Sequence, residues 1–284
     1  MASYKIKELE ALSGIKAHTI RIWEKRYDLL QPERSDSKIR SYDETQLKRL
    51  LNISVLYNNG WKISKIAALS DAEIRQNTDH IAEDHQTKNV IVTLFIESLL
   101  AYDHRKFERI LDKSIEKEGF ESVYRYYLLP FLKRIGVLWI VDTISPAQEH
   151  FISNLIRQKL IVAINNLPHS ENENVDSLLL TPTGEFHEIA LLYYHYALRK
   201  KGDNVMYLGV DVPIDSIVKT INVLQPKKVI ISLVAGQSEK QVNHIIHSIR
   251  DNTNAHIYLG GAFIETIPLP KVDDLDYINK IITV

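Results

Sequence analysis

The last third of the chain alternates short aliphatic or β-branched runs with helical stretches, and few folds accept that alternation. The runs are Ser177–Thr181, Val205–Gly209, Lys228–Val234 and His256–Leu259, with helices between them starting near His187, Ile214 and Ser238. Strands separated in this way form a parallel sheet covered by crossover helices. Such sheets bind ligands beyond the carboxyl ends of their strands. The loops Pro182–Glu185, Ala235–Gln237 and Gly260–Ala262 are therefore predicted to line one shared edge. The polar stretch His169–Asp176 precedes the first run and marks a boundary, which gives an α/β domain over residues 174–284.

The rest of the chain carries helical spacing instead. From Val90 to Leu167 apolar residues recur as Leu94, Phe95, Leu99, then Tyr127, Phe131, Ile135, then Ile152, Ile156, Ile164, and a helical bundle is predicted over residues 85–168. Ser70–Asn89 is polar and reads as a linker with some helix. Residues 1–75 form a third domain of short helices. A chain of 284 residues with 45% hydrophobic content can fill several cores. With no cysteine it has no disulfide, thiolate metal site or cysteine nucleophile. The charged N-terminus is unlike a signal peptide, and no apolar run approaches the ~18 residues of a membrane span, so a soluble cytoplasmic protein without a membrane partner is expected. Walker, Gly-x-Gly-x-x-Gly and serine-elbow motifs are absent, and no enzyme class suggests itself.

The N-terminal segment reads as helix, tight turn and helix: Lys7–Leu12, Ser13-Gly14 and Ala17–Asp28. Gly14 suits the turn, Ile20 and Trp23 can face inward, and Thr19, Arg21, Lys25 and Arg26 remain for polar contacts. Gln31–Tyr42 then offers Arg34, Lys38 and Arg40 on a short hairpin. The net charge is −1 overall, yet residues 1–50 hold eleven Lys/Arg against eight Asp/Glu. A local patch of this kind can bind phosphates, although a three-helix domain with a solvated charged face fits the composition equally. The order of residues, TIRIWEKRYDLLQPER followed by IRSYDETQLKRL, resembles the winged-helix domain of the MerR family of transcriptional regulators. The resemblance implies double-stranded operator DNA as partner, with Thr19, Arg21, Arg26 and Tyr27 on the groove-reading helix and Arg34, Lys38, Arg40 and Tyr42 around the wing. Lys38 stands where relatives commonly have glycine at the wing tip.

After the first strand comes Gly184-Glu185-Phe186-His187. An imidazole at a strand's carboxyl end, with a carboxylate two residues earlier to orient it, is a plausible metal ligand, and a plain helix-capping loop fits as well. TPTGEFHEIALLYYHYALRKKGDNVMYLGVDVP resembles the cobalamin-binding domains of corrinoid proteins, whose pattern is acidic-x-His-x-x-Gly followed by Ser-x-Leu-like and Gly-Gly motifs. That resemblance implies a Rossmann-like sheet with His187 on cobalt, Glu185 behind it, and the cofactor's benzimidazole near Ser232, Gly260 and Gly261. Ala190 departs from the pattern's glycine. In the bundle, Trp139, nine residues and then Glu149-His150 are similar to the cap of light-sensing MerR-type repressors, the CarH, CarA and LitR group. By that likeness Trp139 and Glu149 would enclose a 5′-deoxyadenosyl group, and His150 would be a second metal ligand.

Together these resemblances imply a DNA-binding regulator, a repressor in function and not an enzyme. Adenosylcobalamin and light would control its operator binding and its homo-oligomerisation, as dimer or tetramer. One alternative is a regulator that has lost cobalamin and answers another ligand or partner, which Ala190 favours. A corrinoid-dependent enzyme subunit would leave the first 75 residues idle.

Overall fold

Gly14 ends the first helix with φ 73°, and this left-handed residue turns the chain so that the second helix can pack across the first. A computed structural model of the chain describes residues 4–34, 40–84, 88–140, 144–235, 237–264 and 272–282. They divide into two units, Met1–Ile152 and Ser153–Val284.

In the first unit α1 (Ile6–Ser13) and α2 (Ala17–Tyr27) form the helix-turn-helix. Glu10 holds the turn, accepting from the Ala17 amide and the Lys16 ammonium, both at 3.0 Å. β1 (Glu33–Arg34) and β2 (Arg40–Ser41) pair antiparallel as a small wing. α3 (Glu44–Asn58) is capped by the Asp43 side chain on the Gln46 amide. After α4 (Ile63–Ile66), the polar stretch expected as a linker is largely helix, α5 (Asp71–Asp84), because Ser70 and Glu73 cap it reciprocally.

α6 (Lys88–Ala101) is apolar on every side, and each residue from 90 to 100 is buried. A helix without a polar face belongs at the centre of a core. α6 packs against α1, α3 and α5 on the reader's side and against α7 (His104–Glu118) and α9 (Leu129–Ile140) on the bundle's side. Its one carboxylate, Glu97, meets the Lys106 ammonium at 3.0 Å. Between α7 and α9 run α8 (Phe120–Val123) and a single π-helical turn, Tyr124–Leu128. α9 also packs on α1, where Arg134 fills the space beside Gly14. α10 (Pro146–Asn165) gives its first residues to this unit.

The second unit is a five-stranded parallel sheet in the order β4-β3-β5-β6-β7. Its strands are β3 (Ser177–Pro182), β4 (Val205–Val212), β5 (Lys228–Ser232), β6 (His256–Gly260) and β7 (Leu275–Tyr277). The helices are α11 (Ile189–Lys200), α12 (Ile214–Leu224) and α13 (Glu239–Arg250). Leu178, Leu180, Val229, Ile231, Ile257 and Leu259 point to the face covered by α12 and α13. The alternate positions, among them Leu179, Ile230 and Ser232, face the side of α11, which packs on β3, β4 and β5. The chain runs outward from β3 in both directions, so the order reverses between β3 and β5, and a crevice opens at the carboxyl ends of those two strands.

Asp176, just before β3, ties three segments: it accepts from the Asn172 side chain, the Asn204 amide and the Lys227 ammonium. Burial would raise its carboxyl pKa, but Lys227 and the amide donors outweigh burial and hold it at about 2. Since the folded pKa lies below the unfolded one, near 3.9, this stabilisation is complete above that value and disappears as pH falls through about 2. Asp176→Ala should cost about 1–3 kcal/mol in urea unfolding at pH 7. The difference from wild type should shrink as titrations are repeated at successively lower pH.

Candidate functional site

The loop after β3 is folded by polar contacts at the crevice. Gly184 takes φ 86°, and its amide donates to the Asp211 side chain at 2.8 Å. Thr181 donates its hydroxyl to the Glu185 carbonyl at 2.6 Å and accepts from the Asp211 amide at 3.0 Å. Asp211 is left-handed, φ 58°, beside a register shift between β3 and β4 that brings it over the loop. Gln237 reaches across from the loop after β5 and donates to the Thr183 carbonyl at 2.9 Å.

Glu185 is thereby placed under the crevice, 1% exposed. One carboxylate oxygen accepts from the Val234 and Ala235 amides, each at 2.7 Å. The other accepts from the His187 amide at 2.8 Å and meets the His187 Nδ1 at 2.6 Å. Burial acts to raise the Glu185 pKa, but the His187 ring and the three amides prevail and hold it below the usual carboxylate range. With Nδ1 committed to Glu185, Nε2 is the nitrogen that a metal would take. The His187 side chain is 56% exposed, so the ring is both oriented and accessible. Phe186, beside it, is also exposed. The next residue, Glu188, is drawn away from the crevice by the Tyr207 hydroxyl at 2.8 Å and Arg157 at 2.6 Å.

Ser232 and Gly260 are partners across β5 and β6, and Gly261 follows with φ 97°. The Ser232 Oγ is buried and has no hydrogen-bond partner among the described residues. Gly261 admits no side chain, because a Cβ would run into the Leu233 backbone. The predicted loops thus meet at one edge. A corrin with cobalt fits the donor set there: an oriented imidazole, a buried anionic partner behind it, and an orphaned hydroxyl at the sheet edge.

In the first unit Trp139, near the end of α9, is 48% exposed. Glu149 and His150 sit on the first turns of α10, with Glu149 Oε2 3.2 Å from the His150 Nδ1. On α2, Ile20 and Trp23 are buried, Arg21, Lys25 and Arg26 are exposed, and Thr19 and Tyr27 are half-buried. The Arg26 guanidinium stands 5.5 Å from the Tyr27 ring centroid. Arg34 pairs with Arg40 in the wing, and Lys38 lies outside the described residues. Arg40 bonds Glu24 of α2 at 3.1 Å. Tyr42 does not present itself to a duplex: it is 1% exposed and donates its hydroxyl to the same Glu24, tying the wing to α2 from beneath. Among the described residues no helix is long and apolar enough to cross a membrane.

The roles of Thr181 and Asp211 in folding the loop lie outside the motifs of the sequence. Asp211 was detectable, since Gly209 and Asp211 interrupt a β-branched run as bulge residues do.

The family described as MerR HTH family regulatory protein matches residues 4–73, and two families described as B12 binding domain match residues 92–163 and 175–277. The HTH-type transcriptional repressor CarH of Myxococcus xanthus is 27% identical over 274 residues, covering 92% of this chain and 89% of CarH. The repressor CarA of the same organism is 26% identical over 243 residues, 85% of this chain and 80% of CarA. Among solved structures, the monomethylamine corrinoid protein of Methanosarcina barkeri aligns over 63% of this chain and 88% of its own, with 16% identity and a TM-score of 0.49. Residues 4–73 are thus a MerR-type helix-turn-helix segment and residues 92–163 and 175–277 are B12-binding-type domains, in a chain similar to the repressors CarH and CarA over most of its length.

Proposed function

We propose that this protein is a transcriptional repressor that binds operator DNA through residues 1–75 and a cobalamin through residues 85–168 and 174–284, with adenosylcobalamin and light governing its assembly. The observation that carries the cofactor assignment is the buried Glu185 carboxylate, which orients an exposed His187 at the strand-order reversal of the sheet. His187 would hold cobalt through Nε2, with Ser232, Gly260 and Gly261 at the sheet edge. Trp139 and Glu149 would close over the opposite side of the cofactor, and His150 would supply a second nitrogen donor. Bound adenosylcobalamin would contribute a cobalt–carbon bond that light cleaves. Trp139 would contact the adenosyl group in the dark and lose that contact on illumination, and only such a differential contact can shift an assembly equilibrium.

For DNA, Thr19, Arg21, Arg26 and Tyr27 would read or flank the major groove, while Arg34, Lys38 and Arg40 would grip phosphates. Tyr42 would act by holding the wing in place. One such reader covers half of a two-fold operator, so the working form would be a dimer or tetramer. Ala190 and the buried Tyr194 one turn later favour a second reading, in which the chain has lost cobalamin.

The visible spectrum decides between them. Purified protein titrated with aquocobalamin should show a change in the corrin bands that His187→Ala abolishes, and Glu185→Gln should weaken affinity by about 10–100-fold. Because a proton competes with the metal for the imidazole, wild-type affinity should fall as pH is lowered. A spectrum that changes neither with aquocobalamin nor with a corrinoid lacking the nucleotide tail would establish the cofactor-free reading.

Arg21→Ala should weaken the specific operator by about 1–3 kcal/mol if the side chain reads a base, whereas Arg40→Ala should lower affinity for all sequences and reduce the salt slope by about 1. Mobility-shift titrations at several salt concentrations separate these effects. Protein loaded with adenosylcobalamin in the dark should elute from a sizing column as a larger species than after green light, and Trp139→Ala should weaken the dark assembly. Equal elution volumes for loaded wild type in both conditions would refute the light switch.

A further inference from the structure

Tyr194 lies one helical turn after Ala190 on α11, so both occupy the same face of that helix. The tyrosine is 4% exposed, and its hydroxyl accepts from the Gly261 amide at 2.9 Å. Its ring shares with the Ile278 side chain the room that glycine at 260 leaves: a Cβ on Gly260 would stand 2.5 Å from the Tyr194 hydroxyl oxygen, 2.7 Å from its Cε2 and 2.7 Å from the Ile278 Cγ2. Ser232 is the cross-strand partner of Gly260, so its buried, unpartnered hydroxyl points to the same side of the sheet. Small residues and an orphaned donor outline a slot at the carboxyl edge of β5 and β6, and a bulky side chain from α11 stands in it.

We propose that Tyr194 is a specificity residue that closes this slot to the nucleotide tail of a complete cobalamin, so that the chain prefers corrinoids without that tail. The inference rests on the corrinoid reading above. A ligand that inserts its benzimidazole between Ser232 and Gly260-Gly261 must first expel the Tyr194 ring from a buried position and leave the Gly261 amide without its acceptor. A corrinoid that offers only its cobalt face to His187 requires neither displacement. It also has no base of its own for the imidazole to displace.

Absorbance titrations of the full chain with aquocobalamin and with diaquocobinamide, which lacks the nucleotide, test this. Wild type should bind the cobinamide at least about tenfold more tightly. Tyr194→Ala should gain about tenfold for cobalamin and change by less than about threefold for cobinamide, whose retained binding reports a folded site. Tyr194→Phe keeps the ring and removes only the hydroxyl latch, and should gain about threefold for cobalamin. If the alanine variant loses cobinamide binding, the wild-type preference and the phenylalanine variant decide. A wild type that takes cobalamin as tightly as cobinamide, or variants that shift both ligands by the same factor, would overturn the proposal while leaving the corrinoid reading intact. Failure of wild type to bind either ligand would overturn both.

Discussion

A carboxylate withdrawn from water persists only where donors replace the water, and Glu185 finds its donors on both sides of the central crevice. Its contacts to Val234 and Ala235 bind the loop after β3 to the loop after β5, and its contacts to His187 fix the imidazole. The same group therefore determines the spacing of two strands' ends and the aim of the exposed imidazole at the crevice. Exchanging it for an apolar residue would leave three amides unsatisfied and the ring free to turn, so packing and ligand binding cannot be altered separately at this position.

In the first unit the comparable constraint is apolar rather than ionic. α6 has no polar face to offer to solvent, and its burial requires partners all round. It finds them in α1, α3 and α5 of the DNA-reading segment and in α7 and α9 of the bundle. The reader and the bundle hence share a core instead of meeting as two finished domains. α9 carries Trp139 near its end and Arg134 against the helix-turn-helix, which puts the proposed cap and the reader on a single rigid element.

Much of this was legible in the residues. Four of the five strands are legible as short aliphatic or β-branched runs, and the alternation places the loop of Glu185 and His187 at a strand's carboxyl end, while their reading as a metal site needs the resemblance to corrinoid proteins. β7 was not legible: Leu275–Tyr277 is three residues long, half-buried at the sheet's edge, and carries no periodic run to detect. α5 was misjudged as mostly linker because its composition is polar on nearly every side, and what makes it helix is the reciprocal capping by Ser70 and Glu73 together with packing on α3. Tyr42 looked like a surface contact in a basic hairpin, and only the position of Glu24 reveals that its hydroxyl is turned inward. Tyr194 was similarly hidden, since a tyrosine at helical spacing suggests core packing, whereas the glycine it leans on lies 66 residues further along the chain.

The turn between α1 and α2 has a consequence for how this sequence can drift. Gly14 is fixed by its left-handed φ, and the end of the Arg134 side chain lies where its Cβ would stand. Asparagine, which tolerates this backbone region better than most residues, would need only to push the end of the arginine side chain aside, whereas a β-branched residue would be strained wherever the arginine went. A side chain introduced at position 14 would therefore be felt 120 residues further along the chain, at Arg134 in α9.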